Sequence, residues 1–143
     1  MPESRIGSIA SAPRTSSASY EGRIRPERFT GMTELRLAKP LSLTQFGVNQ
    51  VRHEPGAWSS LRHWHAVEDE FIYVLEGNLT LVDDNGAHEL GPGMFASFPG
   101  GEHNGHHVQN RSDQLGVFLS VGSRRPGEET IYYPDEDFGP IHK

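Results

Sequence analysis

His63 and His65 stand one residue apart in LRHWHAVEDE, and Glu70 closes the stretch five positions later. On an extended strand, residues i and i+2 project from the same face with Cα atoms about 6.6 Å apart. Two imidazoles at that separation can share one ion, because a zinc–nitrogen bond is about 2.0–2.1 Å long. Trp64 must then face the other way. AVED is long enough to turn the chain, so that Glu70 opens a return strand beside the pair. Two neutral nitrogens and a carboxylate suit a divalent first-row metal and leave coordination positions for more ligands or a substrate. A solvated, charged strand end explains the same residues with no ion, and the chain holds 8 histidines. The motif alone leaves both readings open.

The elements around it read as short strands. Gly 16 and Pro 10 in 143 residues, with little helical periodicity, point to an all-β domain. Thr33 to Lys39 alternates weakly and gives a first strand. Leu43 to Glu54 alternates better, with Phe46, Val48 and Gln50 on one face and Val51 and His53 on the other. DEFIYVLEG carries apolar or aromatic groups on both faces, the pattern of a strand covered on both sides. The N-terminal arm or a second subunit would supply the outer cover, which favours a homodimer. LTLV, the turn DDNG and AHEL form a hairpin with Asn85-Gly86 at its tip. MFASF, HHVQN and QLGVFLSVG follow. In all, eight to ten strands separated by turns imply a sandwich or barrel.

The ends differ from this. Residues 1–20, rich in Ser and Ala, are expected to be a mobile arm, leaving 21–143 as one domain with 122–143 as an extension of it. Tyr132, Tyr133, Asp135 and Asp137 fall in that extension, where solvation is the default. Arg124 and Arg125 read as surface charge.

Composition narrows the function. With no cysteine, disulfides, thiolate metal sites and cysteine nucleophiles are all excluded, in keeping with a reducing cytoplasm. A net charge of −6 disfavours nucleic acid. No apolar run has the length of a signal peptide or a membrane span, so no membrane partner is expected. Neither GxxxxGK[ST] nor GxSxG occurs, which removes the motif support for nucleotide and serine hydrolases.

Gly56, His63, His65, Glu70 and Gly77 resemble the first motif of the cupin family, and Gly93, Pro99, Gly101, a histidine and Asn110 resemble the second. The likeness runs from about Phe46 to Val121. It implies a double-stranded β-helix (jelly-roll) barrel with N- and C-terminal arms and a metal held inside by three histidines and the glutamate. Two spacings depart from the family: six residues separate Gly56 from His63 instead of five, and the second turn is two residues longer. The usual position of the third histidine falls on Asn104, while His103, His106 and His107 compete nearby. The family's spacing back from Asn110 selects His106, with His107 in reserve and His103 placed in the loop at the barrel mouth. Phe46, Gln50, Trp58 and Phe98 are the expected pocket lining.

A set of His63, His65, Glu70 and His106 accepts iron, manganese, nickel, cobalt or zinc. The resemblance implies an enzyme of dioxygenase, isomerase, decarboxylase or lyase type acting on a small polar molecule such as a sugar or organic acid. A non-catalytic ligand-binding or sensing barrel, partnered by a regulator, is the alternative. No acid or base outside the ligand set stands out in the sequence.

Overall fold

The computed structural model describes residues 5–16 and 26–143. Its strands are β1 (Arg14–Thr15), β2 (Met32–Arg36), β3 (Phe46–His53), β4 (Trp64–His65), β5 (Glu70–Glu76), β6 (Leu79–Asp83), β7 (Gly86–Leu90), β8 (Phe95–Phe98), β9 (His107–Gln109), β10 (Gly116–Ser123), β11 (Thr130–Tyr132) and β12 (Ile141–His142). They form a six-stranded sheet in the order β1-β2-β3-β10-β5-β8 and two three-stranded sheets, β7-β6-β9 and β12-β11-β4. Every pairing is antiparallel. Among the described residues no helix is long and apolar enough to cross a membrane.

Alternation builds the core. Val51, Phe118 and Val74 lie in one cross-strand row of the large sheet, and all three are buried. Leu79, Leu81, Leu90 and Val108 close over them from β6, β7 and β9. The core therefore sits between the large sheet and β7-β6-β9, each such side chain contributing about 1.5–3 kcal/mol by leaving water. Where the inner row runs past this packing, its residues face a cavity instead.

Several expectations change. The inner row of β3 is Asn49, Val51 and His53, so Phe46, Val48 and Gln50 occupy the outer face, and Phe46 is 42% exposed. The N-terminal arm is not wholly detached, since Arg14 and Thr15 pair with Leu35 and Glu34. Residues 1–4 and 17–20 of that expected arm lie outside the described residues. Ile72 and Val74 are buried as expected, yet Phe71, Tyr73 and Leu75 stay exposed on the outside of β5. Among the described residues that strand has a single cover.

The extension is tied down. Ile131 pairs with His65 and Tyr132 with Trp64. The Trp64 ring is stacked between Tyr132 and His103, at centroid distances of 4.3 and 4.1 Å. Arg62 donates both Nε and Nη2 to the Asp135 carboxylate at 2.8 and 2.9 Å, and Nη1 to Gly105 O and Asp84. The Arg62 guanidinium in turn holds the Asp135 carboxyl below its ordinary range. The backbone of this segment completes a sheet under the HWH strand, while the side chains of Tyr132, Asp135 and Asp137 stay exposed.

Candidate metal centre

His63 and His106 face each other in an antiparallel bridge, His63 N donating to His106 O at 3.1 Å and His106 N to His63 O at 2.9 Å. Directly paired residues share a face. Their rings therefore come together, with centroids 4.8 Å apart, and His65, two residues on, joins at 5.0 Å from His63. After the Ala66–Asp69 turn, Glu70 enters β5 with its side chain inward. His106 Nε2 is 2.9 Å from Glu70 Oε1; His65 Nε2 and His63 Nε2 are 3.2 and 3.9 Å from Oε2. Three imidazoles thus aim the same nitrogen at one carboxylate.

The hydrogen bonds behind them fix the tautomers. His63 Nδ1 donates to the Leu61 carbonyl at 2.8 Å, and His65 Nδ1 donates to Glu129 Oε2 at 3.1 Å. A neutral imidazole that donates through Nδ1 has a bare lone pair on Nε2. Two such lone pairs facing carboxylate oxygens repel unless a cation, either a proton or a metal ion, lies among them. His106 Nδ1 is buried with no partner among the described residues, so its hydrogen-bonding capacity is concentrated on the Nε2 side. Burial by itself would raise the Glu70 carboxyl, but the imidazoles facing it, His106 foremost, outweigh burial and hold the group well below its ordinary value. His106 is pushed down by burial despite Glu70, whereas Glu70 and Glu129 raise His65 against its burial.

This donor set fits a divalent ion. The facing atoms of His63, Glu70 and His106 lie within 4.8 Å of one another, and ligands sharing an ion at about 2.0–2.2 Å lie at most about 4.4 Å apart, a few tenths of an ångström away. Glu129 belongs to a second acidic group with His65 and Glu68. Its carboxylate already accepts from Val67 N, Glu68 N, Thr130 N and His65 Nδ1 at 3.0–3.2 Å. Glu129 is therefore an orienter of His65, of the carboxylate–histidine kind that fixes metal-ligating rings.

The other candidates stand outside the four-residue cluster. His107 turns its Nδ1 to Ser60 O at 2.9 Å and its ring edge-on to Trp58 at 4.6 Å, although it lines the same cavity. Burial lowers its pKa to about 4. His103 stays in the loop on Trp64. Trp58 lines a separate cleft under the Arg28 guanidinium. Phe98 stacks on the His106 ring, 3.5 Å between centroids, and so backs the cluster. Phe46 and Gln50 contribute nothing to this cavity, whose β3 wall is Asn49 and Val51.

The cavity in front of the cluster measures about 440 Å³. Besides His63, His65, Glu70 and His106 it is lined by Ser59, Ser120, Glu34, Glu68 and Arg124. Glu34 is the carboxyl that the sequence reading missed. It lies on the inner row of β2 opposite Val51, and no hydrogen bond or ion pair engages it among the described residues. Burial raises its pKa, opposed by Arg36, Arg124 and Lys143.

Antiparallel sheets closed around three histidines and a glutamate define a small cupin barrel, and the chain belongs to that family. Residues 49–122 match the profile of the cupin domain, Cupin_2. Among solved structures, a sugar phosphate isomerase of the cupin superfamily from Silicibacter pomeroyi DSS-3 is 45% identical, over 95% of this chain and 90% of that one, with a TM-score of 0.87. The polyketide cyclase RemF of Streptomyces resistomycificus is 26% identical over 84% of this chain and 79% of its own, with a TM-score of 0.65. The Cupin_2 domain of an XRE family transcriptional regulator from Enterobacter cloacae is 25% identical over 67% of this chain and 99% of its own, with a TM-score of 0.57. No protein of curated function matches the chain.

Proposed function

We propose that the protein is a metal-dependent isomerase of a small sugar phosphate, with His63, His65, Glu70 and His106 as the metal ligands. The carrying observation is the convergence of three Nε2 atoms on an ionised Glu70 at the wall of an open cavity. The 45% identity with a protein that bears this activity supports the choice of reaction. A divalent ion in that set would supply Lewis acidity to a carbonyl and its neighbouring hydroxyl. Glu34 is the proton-transfer group of this reading. It takes the proton from the carbon beside the carbonyl and returns it to the former carbonyl carbon. The hydroxyl proton passes from one oxygen to the other, so an aldose becomes a ketose with atoms and electrons balanced and no co-reactant. A homodimer burying Phe71, Tyr73, Leu75 and Phe95 belongs to the same proposal.

The test is metal analysis by mass spectrometry followed by incubation of the loaded protein with triose to hexose phosphates in D2O. The expected result is near-stoichiometric metal, aldose–ketose interconversion and deuterium at the exchanging carbon, all lost in folded His63→Ala/His65→Ala protein. A metal-bearing protein that converts none of them leaves the ligand-binding reading in its place. A protein that takes up no divalent ion ends both metal readings.

Glu34→Gln is expected to slow the exchange by about 100-fold or more while metal content stays at the parent level. An unchanged rate removes Glu34 from proton transfer.

A further inference from the structure

Arg124 has no role in the site as described so far, and its seat is unusual. On the inner faces of β3 and β10, Gly47 and Gly122 are direct cross-strand partners. Glycine within a strand weakens it and commonly marks a place where another group comes close. Here that group is the Arg124 guanidinium. A Cβ added at Gly47 would lie 2.8 Å from Arg124 Cζ, and one at Gly122 would lie 3.3 Å from Nη1. Two adjacent strands thus leave a gap in their side-chain layer, and the guanidinium lies over it at the cavity wall. Its internal contacts are long and all made through Nη1, which leaves Nε and Nη2 to donate elsewhere. Its contacts are its own chain's Gly122 O and Ser123 O at 3.5 and 3.3 Å, and Glu68 Oε1 at 4.0 Å.

We propose that Arg124, seated on the Gly47–Gly122 floor, is the phosphate-recognising group of the cavity and fixes a sugar phosphate with its other end at the histidine cluster. This rests on the isomerase reading for the identity of the rest of the molecule. Two further observations support it. Gly122 is the cross-strand partner of Glu70, so the floor lies one strand, about 5 Å, from the strand that carries the metal-facing carboxylate. That separation suits the span of a short sugar chain between phosphate and carbonyl. The cavity shares Glu34, Asn49, Arg124 and Lys143 with an adjoining vestibule that Arg36 and Lys39 also line, with Glu34 as its one acidic residue among those described. Four cations gathered at one mouth of a chain with net charge −6 make a local field that draws anions in against the overall charge. A guanidinium presents a planar fork of donors that matches phosphate oxygens two at a time.

The experiment uses metal-free protein, so that phosphate has no ion to bind. Titration with inorganic phosphate, followed by calorimetry and by amide NMR shifts, is expected to show saturable binding with the largest shifts at Gly47, Ser120 and Gly122. Arg124→Gln should weaken it by about tenfold or more, as loss of a charged hydrogen-bond donor does. Gly122→Ala, which pushes Nη1 off the floor, should weaken it as well. His63→Ala/His65→Ala should bind phosphate as the parent does. Titration with a sugar phosphate and with the same sugar lacking phosphate then separates the two ends, because only the phosphorylated form should depend on Arg124. Absence of phosphate binding, binding unchanged in Arg124→Gln, or acetate bound as tightly as phosphate would overturn the assignment. None of these readouts needs turnover, so a failure of the isomerase reading and a failure of the phosphate site are separately visible.

Discussion

Glu129→Gln is expected to bind a divalent ion about 10- to 100-fold more weakly than the parent, although residue 129 touches no ion in the proposed set. The reason is the direction of four hydrogen bonds. Glu129 Oε1 accepts from Val67 N and Thr130 N, and Oε2 accepts from Glu68 N and His65 Nδ1. A carboxylate can accept all four. An amide has one oxygen and one donor group, so half of this ring of donors would meet another donor. If the amide nitrogen replaces Oε2, His65 must turn its Nδ1 into an acceptor, which moves the proton to Nε2 and removes the lone pair that faces Glu70. The prediction is a stoichiometric but weakened site, read by competition with a metal-binding dye. Glu129→Ala should cost stability as well, about 3–5 kcal/mol, because the side chain is buried and its removal strands backbone donors of the turn before Glu70. A Glu129→Gln variant with parental metal affinity would show that the tautomer of His65 is set elsewhere.

The second large effect is on acid stability. His53 is fully buried, its ring edge-on to Phe118 at 5.5 Å, and neither ring nitrogen has a partner among the described residues. Burial, reinforced by the nearby His107, lowers its pKa to about 4. The sign follows from which state takes up the proton. Below pH 6.5 the unfolded chain protonates this histidine while the folded protein refuses it, so stability falls as the pH drops from about 6.5 to about 4. It is fully present above that window. A depression of this size corresponds to about 3 kcal/mol at the acid end. Urea denaturation at pH 7 and pH 4.5 should show the loss in the parent, and His53→Leu should flatten it without weakening the protein at pH 7. Equal acid sensitivity in the two proteins would assign the effect to other groups.

These two residues also mark where sequence reading stops. The meeting of His63, His65 and Glu70 is legible because the strand period puts i and i+2 on one face and a short turn returns the glutamate beside them. His106 is legible through Asn110, whose side chain ties His53 O and Gln114 O at 2.8 and 2.7 Å and so anchors the loop that follows the strand. Strand length and turn residues give an all-β sandwich or barrel, and the choice of barrel comes from the cupin resemblance. The facing of β3 does not, because Val48 and Val51 place apolar groups on opposite sides and only the pairing with β10 and the packing of Phe118 choose between them. On that ambiguous pattern Phe46 and Gln50 read as inward. Glu129 is invisible for a different reason. It lies 64 residues from His65, and only the pairing of β11 with β4 brings them together. An acid in a Pro-rich, aperiodic tail reads as solvated until its partner strand is known. Arg124 is missed likewise, since the meaning of Gly47 and Gly122 appears only once they are neighbours.

The pairing of β11 with β12 bears on how the protein should be handled at the bench. Lys143 N donates to Glu129 O and its carbonyl accepts from Gly127 N, so residue 143 sits against the orienter of His65 and lines the cavity. Whatever is joined after Lys143 therefore begins at the mouth of the site. A polyhistidine tag fused there would offer spare imidazoles within reach of the His63–His65–His106 cluster and crowd the basic vestibule at once. Metal stoichiometry and anion affinity are best measured on material whose purification handle has been cut away or attached at the opposite end.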